Sequence, residues 1–177
     1  MPDFKDLDGP IEKLNRLGAD EARAALLACC GSSAWAREVA ALRPFWDVGQ
    51  LLKIAGRVWR ELPREDWLEA FRAHPRIGES KPAADTGEEA RRWSEGEQAG
   101  AREASGQALE ALAEGNREYE RRFGFIYIVR AAGRTAEEML ALLRERLAND
   151  PETELRVAAD EQWRITELRL KKFLNVR

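Results

Sequence analysis

The sequence predicts an all-α fold, one compact domain of seven to nine helices around a single buried extended segment. Three observations carry that prediction. Apolar residues recur three and four positions apart through most of the chain, the spacing that lines one face of an α-helix. Capping residues and glycine or proline stops alternate with those runs. Only Phe125 to Val129 combines aromatic and β-branched residues without helical spacing, and a lone strand would have nothing to pair with.

The elements follow in order. Ala19 to Ala28 is rich in strong helix formers, with Gly31 as its stop. Ser32 or Ser33 caps a second helix bearing Trp35, Val39 and Leu42, which ends before Pro44. Asp47 caps a third, with Leu51, Leu52, Ala55, Val58 and Trp59 along one stripe, and Pro63 separates it from a short fourth helix carrying Trp67, Leu68 and Phe71. From His74 to Arg92, Pro75, Gly78, Pro82 and Gly87 break the pattern, which predicts an irregular exposed segment with one turn of helix after Thr86. Ser94 is expected to open a long helix reaching Arg122, tolerating Gly115 and ending at Gly124. Thr135 and Glu138 form a capping-box pattern for a helix through Met139, Leu142, Leu143 and Leu147, and Asn149-Asp-Pro151 closes it. A last helix spans Glu152 to Phe173. No repeat or linker divides residues 1–177, so one domain is expected.

Composition narrows the function. Over 177 residues, 44% hydrophobic and 34% charged, the chain can bury a core and is too apolar for intrinsic disorder. Lys and Arg number 29 against 32 Asp and Glu, a net charge of −3 with the signs interspersed, which argues against a nucleic-acid partner. Cys29 and Cys30 are neighbours in an apolar run and read as small buried hydrophobes. The tryptophans, mostly at helical spacing, read as core. With His74 the sole histidine, the usual zinc-ligand sets cannot be assembled, and no metal is expected. The N-terminal residues form no apolar leader and no apolar run approaches the roughly 18 residues of a membrane span, so a cytoplasmic protein without a membrane partner is expected.

Three places could hold chemistry. In His74-Pro75-Arg76-Ile77-Gly78, Pro75 turns His74 out of the helical region and presents the one side chain whose ordinary pKa lies near neutrality. It is either a proton-transfer group or a cap on the preceding helix dipole. Ser94, Glu97 and Gln98 fit either a capping box or a polar cluster on a first helical turn whose unpaired amides attract an anion, with Glu97 an acceptor or base. Arg169 lies four residues from both Ile165 and Phe173, on the apolar side of the last helix. A guanidinium there either pairs with a structural carboxylate or grips a carboxylate ligand bidentately.

Taken together, HPRIG, SEGEQAG, NREYERRFGFIY, RTAEEMLALLRERLAND and ITELRLKKFL resemble, in order and approximate spacing, the decarboxylases of 2-oxo-4-hydroxy-4-carboxy-5-ureidoimidazoline (OHCU) in urate breakdown. SSAWAREVAALRPF is similar to the family's Ser-Pro-Trp helix, with Ala34 where Pro is frequent, and Ile126-Tyr127 stands where the family often has Pro-Phe. The resemblance implies an all-helical, commonly dimeric lyase that converts OHCU to (S)-allantoin and carbon dioxide without a cofactor. It implies His74 and Glu97 as the catalytic pair, and Pro75, Ser94, Gln98 and Arg169 as substrate contacts. Phe125, Tyr127, Ile128 and Val129 would lie in the segment whose backbone runs along the ligand. The alternative is a helical module that binds an acidic or ureido small molecule without turning it over. The two part on whether His74, Glu97 and Arg169 meet at one cavity.

Overall fold

The computed structural model describes residues 9–77, 87–98 and 106–176. All regular structure among them is helical: α1 (Glu12–Asn15), α2 (Ala19–Cys30), α3 (Ser33–Ala41), α4 (Val48–Glu61), α5 (Arg64–Arg72), α6 (Glu88–Glu97), α7 (Gly106–Phe123), α8 (Ala136–Arg146) and α9 (Pro151–Phe173). Local chemistry sets most of these boundaries. The Ser32 hydroxyl accepts from the Trp35 amide at 3.3 Å, and Asp47 accepts from the Gln50 amide at 2.7 Å. Thr135 and Glu138 exchange reciprocal capping bonds of 3.2 and 2.9 Å. Asp150 caps α9 by accepting from Glu152 and Thr153, with Pro151 in the first turn.

Tertiary packing is organised by α9. This helix of 23 residues is roughly 35 Å long, and it packs against α2, α4, α5 and α7. The approach to α4 is close, because a Cβ on Gly56 would lie 2.9 Å from the Trp163 ring. Trp59 completes that seam by donating its indole N–H to the Ala159 carbonyl at 2.9 Å, and Trp35 likewise donates to Ala55. Cys29 and Cys30 are buried free thiols. Trp46 departs from the core reading: it is 82% exposed in the α3–α4 connection, outside any helix whose periodicity could have buried it.

One boundary differs in a way that matters. Ser94 does not open a helix; it sits in the second half of α6, and Gln98 is that helix's C-cap. The turn expected after Thr86 is a ten-residue helix instead. Ala90, Ser94 and Glu97, spaced four and three apart, form the buried face of α6, and α6 packs on α2. Burial of that face overrides the local capping signal. The expected start of the following helix falls partly among residues 99–105, outside the described residues; from Gly106 it runs to Phe123 with Gly115 inside it.

The extended stretch after Gly124 has no strand partner, and side chains hold its backbone instead. Arg146 donates to the Ile128 carbonyl at 2.7 Å, and Glu161 accepts from the Arg130 amide at 2.7 Å. Arg146 in turn is held by Glu154 at 2.5 Å, and the Tyr119 hydroxyl also donates to Glu154. Both charges are buried and matched, as a low-dielectric interior demands.

Gly31 ends α2 in the left-handed region at φ +87°, where an added Cβ would also meet the Ala73 methyl at 2.6 Å. Gly133 has a similar φ of +78° with open space around it. Gly31→Ala is therefore expected to cost about 2–4 kcal/mol, and Gly133→Ala only about 1–2 kcal/mol. Urea denaturation of the two variants measures the difference; equal losses would show that contact with α5 plays no part.

Candidate active site

A small recess opens where the chain leaves α5, α6 ends and the extended stretch passes α9. It encloses about 340 Å³ out to its mouth, with His74, Pro75 and Ile77 on one side. Ser94, Glu97 and Gln98 come from α6, Tyr127, Ile128, Val129 and Ala131 from the extended stretch, and Ile165 from α9. His74, Pro75, Glu97, Ser94, Gln98, Tyr127, Ile128 and Val129, all singled out in the sequence, thus share one wall system. Phe125 does not join them. Its ring lies 5.3 Å from Phe71 and 5.7 Å from Tyr119, in an aromatic cluster of the core that the Tyr127 ring also joins. Tyr127 lines the recess, but its hydroxyl is spent on the Met139 carbonyl at 3.1 Å.

Arg169 stands behind the recess wall, 3% exposed. Its Nε and Nη2 donate to the two carboxylate oxygens of Glu97 at 3.0 and 2.9 Å, and Nη2 also donates to the Ser94 hydroxyl at 3.0 Å. This fork-to-carboxylate geometry answers the alternatives left open by the sequence: in this structure Arg169 grips a protein carboxylate. It aims Glu97 and leaves the Ser94 O–H as a donor for a ligand. The expected anion cradle of helix-start amides is absent here, since the residues in question close α6 and the Gln98 amide is bonded back to the Ser94 carbonyl. A helix C-terminus carries partial negative charge, the opposite of what an anion needs. An exposed cation, Lys172, lies 3.9 Å from the Glu97 carboxylate.

His74 follows the last turn of α5, its amide bonded to the Phe71 carbonyl. A helix C-terminus would raise the pKa of a histidine, yet this one is pulled from 6.5 down to about 3. Burial of the ring is the main cause and the nearby charge of Arg169 the second, while a hydrogen bond to Gln162 works in the other direction. The imidazole is neutral through the physiological range. Its Nε2 lies 2.6 Å from Gln162 Oε1. Gln162, Ile165 and Ala131, with Arg146 and Glu161 as supports of the wall, escaped the sequence reading. A signal for two of them existed: Glu161 and Gln162 fall eight and seven residues before Arg169, on the same face of the last helix.

The site's groups therefore comprise a neutral imidazole, a carboxylate held by a guanidinium, a free hydroxyl proton and the Gln98 amide beside a short length of chain. The ion pair sums to zero and Lys172 adds one positive charge beside Glu97, which suits a small anionic ligand. These groups can orient a polar molecule and move protons.

Comparison with known proteins gives the following likenesses. The family model described as OHCU decarboxylase matches residues 15–171. The uric acid degradation bifunctional protein TTL of Arabidopsis thaliana is 40% identical over 148 residues, which is 83% of this chain but 45% of that protein. The chain thus spans less than half of that relative. The 2-oxo-4-hydroxy-4-carboxy-5-ureidoimidazoline decarboxylase of Haloferax volcanii is 32% identical over 163 residues, covering 90% of this chain and 93% of that one. A crystal structure of an OHCU decarboxylase in the presence of (S)-allantoin superposes with a TM-score of 0.73 at 40% identity, over 84% of this chain and 96% of that one.

The lowered pKa of His74 has a consequence for stability. The unfolded chain takes up this proton near pH 6.5 and the folded chain only near pH 3. The stability tied to the neutral ring is thus complete above about pH 7 and falls as the pH drops below 6.5, by up to about 1.4 kcal/mol per pH unit. Urea midpoints of the wild type and His74→Asn at about pH 7.5 and pH 5 read this directly. The wild type should lose at least about 1 kcal/mol more than the variant; parallel losses would place the ring in water.

Proposed function

Because the chain belongs to the OHCU decarboxylase family, we propose that it converts OHCU to (S)-allantoin and carbon dioxide, using the recess between α5, α6 and α9. The observation that carries this reading is the meeting of the sole histidine with the Glu97–Arg169 pair at one small cavity, with 23 residues of sequence between His74 and Glu97 and 72 between Glu97 and Arg169. Among the described residues, no helix is long and apolar enough to cross a membrane.

The chemistry asks little of the protein beyond position and protons. When the bond from C4 to the carboxyl breaks, its electron pair moves toward the adjoining ring C=N, so the substrate supplies its own electron sink. The ring nitrogen gains a proton. Loss of the C4 hydroxyl proton and protonation of the neighbouring ring carbon then give the keto product; that exchange is proton-neutral, and the reaction of the carboxylate as a whole consumes the one proton taken up by the ring nitrogen. His74, neutral and a lone-pair holder, is suited to accept the C4 hydroxyl proton and unsuited to hold a departing carboxylate. Glu97 accepts from ring or ureido N–H groups, and the Ser94 hydroxyl and Gln98 amide donate to carbonyl and carboxylate oxygens. Arg169 contributes through Glu97 and Ser94. Lys172 draws the anionic substrate to the mouth. On the family likeness the working unit is a homodimer of single-domain chains.

Urate, a uricase and the hydrolase that acts on its product generate unstable OHCU in place. Adding the protein should make optically active allantoin appear ahead of the spontaneous racemate. His74→Asn and Glu97→Gln, each folded, should lower turnover at least about 100-fold. Racemic product at the spontaneous rate from the wild type would favour a binding module, and unchanged rates in both variants would remove the two residues from the mechanism.

A further inference from the structure

Gln162 is fully buried on α9, and its amide is bonded at both ends. Its Nε2 donates to the Cys30 carbonyl at 3.1 Å and to the Thr166 hydroxyl oxygen at 3.2 Å. Thr166 has one hydroxyl proton, and that proton goes to the Gln162 main-chain carbonyl at 3.0 Å. Toward the side-chain amide Thr166 can only accept, and a carbonyl can never donate, so both partners require the nitrogen end of Gln162. The orientation of the amide is settled by these two acceptors. The oxygen end then faces His74 Nε2 at 2.6 Å. A carbonyl oxygen accepts only, so the hydrogen of that bond belongs to the imidazole. A neutral imidazole has one ring hydrogen, and Nδ1 is left with its lone pair.

We propose that Gln162 is a positioning residue that fixes His74 as the Nε2–H tautomer, so that Nδ1 is the base the recess offers to the substrate hydroxyl. The base role rests on the decarboxylase reading, while the tautomer rests on the hydrogen-bond chain alone. The chain joins the end of α2, the residue after α5 and the middle of α9, so the ring is oriented by packing that a ligand need not disturb. Wrong-tautomer imidazole would present N–H where a lone pair is needed.

His74 is the sole histidine, so the protein labelled with ¹⁵N-histidine gives one pair of ring nitrogen signals. At neutral pH the expected spectrum shows a protonated, pyrrole-type Nε2 and a bare, pyridine-type Nδ1, assigned by their couplings to the ring C–H protons. Protonation at Nδ1, or two exchange-averaged signals, would overturn the proposal. Gln162→Leu removes the acceptor: the pair should move toward tautomer averaging, and kcat should fall on the order of tenfold or more with KM changed less than about twofold. An unaltered tautomer in that variant would equally overturn it, and if the variant does not fold the wild-type spectrum decides. Because the spectrum needs no substrate, its outcome is separate from that of the turnover assay.

Discussion

A polar side chain buried on a helix must find a hydrogen-bond partner, and α9 buries five of them: Glu154, Glu161, Gln162, Thr166 and Arg169. Thr166 bonds Gln162 within the helix, and the other four reach different pieces of the chain. Glu154 takes Arg146 of α8 and Tyr119 of α7; Glu161 takes the backbone at Arg130; Gln162 takes His74 and the end of α2; Arg169 takes Glu97 and Ser94 of α6. Any slip of α9 along its axis would strand several of these groups at once. The irregular walls of the recess are thereby held to a rigid element, which is how a site assembled from a loop, a helix end and an extended stretch keeps its geometry.

The same constraint shapes the electrostatics. Burying Arg169 without a partner would be costly, and burying Glu97 likewise; together they form a forked pair that costs far less and orients both. The residual field of Arg169 still reaches His74 and, with burial, keeps that ring uncharged. A neutral ring with a lone pair is a proton acceptor at the pH where a cell works, whereas an imidazolium would not be. The guanidinium therefore acts on the two acid–base candidates in different ways, orienting the Glu97 carboxylate by direct contact and disfavouring charge on the His74 ring from a distance.

Much of the fold could be read locally. Ser32, Asp47 and Thr135 cap the helices they were expected to cap, and Gly31 and Gly124 end the ones they follow, because a cap needs only backbone donors within three residues. The Ser94–Glu97 pattern misled for the same reason. Its two side chains sit at capping-box spacing, yet that spacing is also two neighbouring positions on one helical face, and packing on α2 selected the second meaning. Phe125 misled because an apolar stretch does not reveal which of its residues the core claims, here through the rings of Phe71 and Tyr119.

By itself, the sequence determined which residues could act: one histidine, one guanidinium on an apolar helical face, and a carboxylate among small polar neighbours, in an order characteristic of a family. Only the tertiary structure decided what each does. That Arg169 clasps Glu97, that Gln162 orients His74, and that Arg146 and Glu161 carry an unpaired stretch of backbone are pairings across 18 to 88 residues. Propensity and spacing act over a few positions, whereas these bonds exist because close packing excludes water and leaves each buried polar atom one partner within reach.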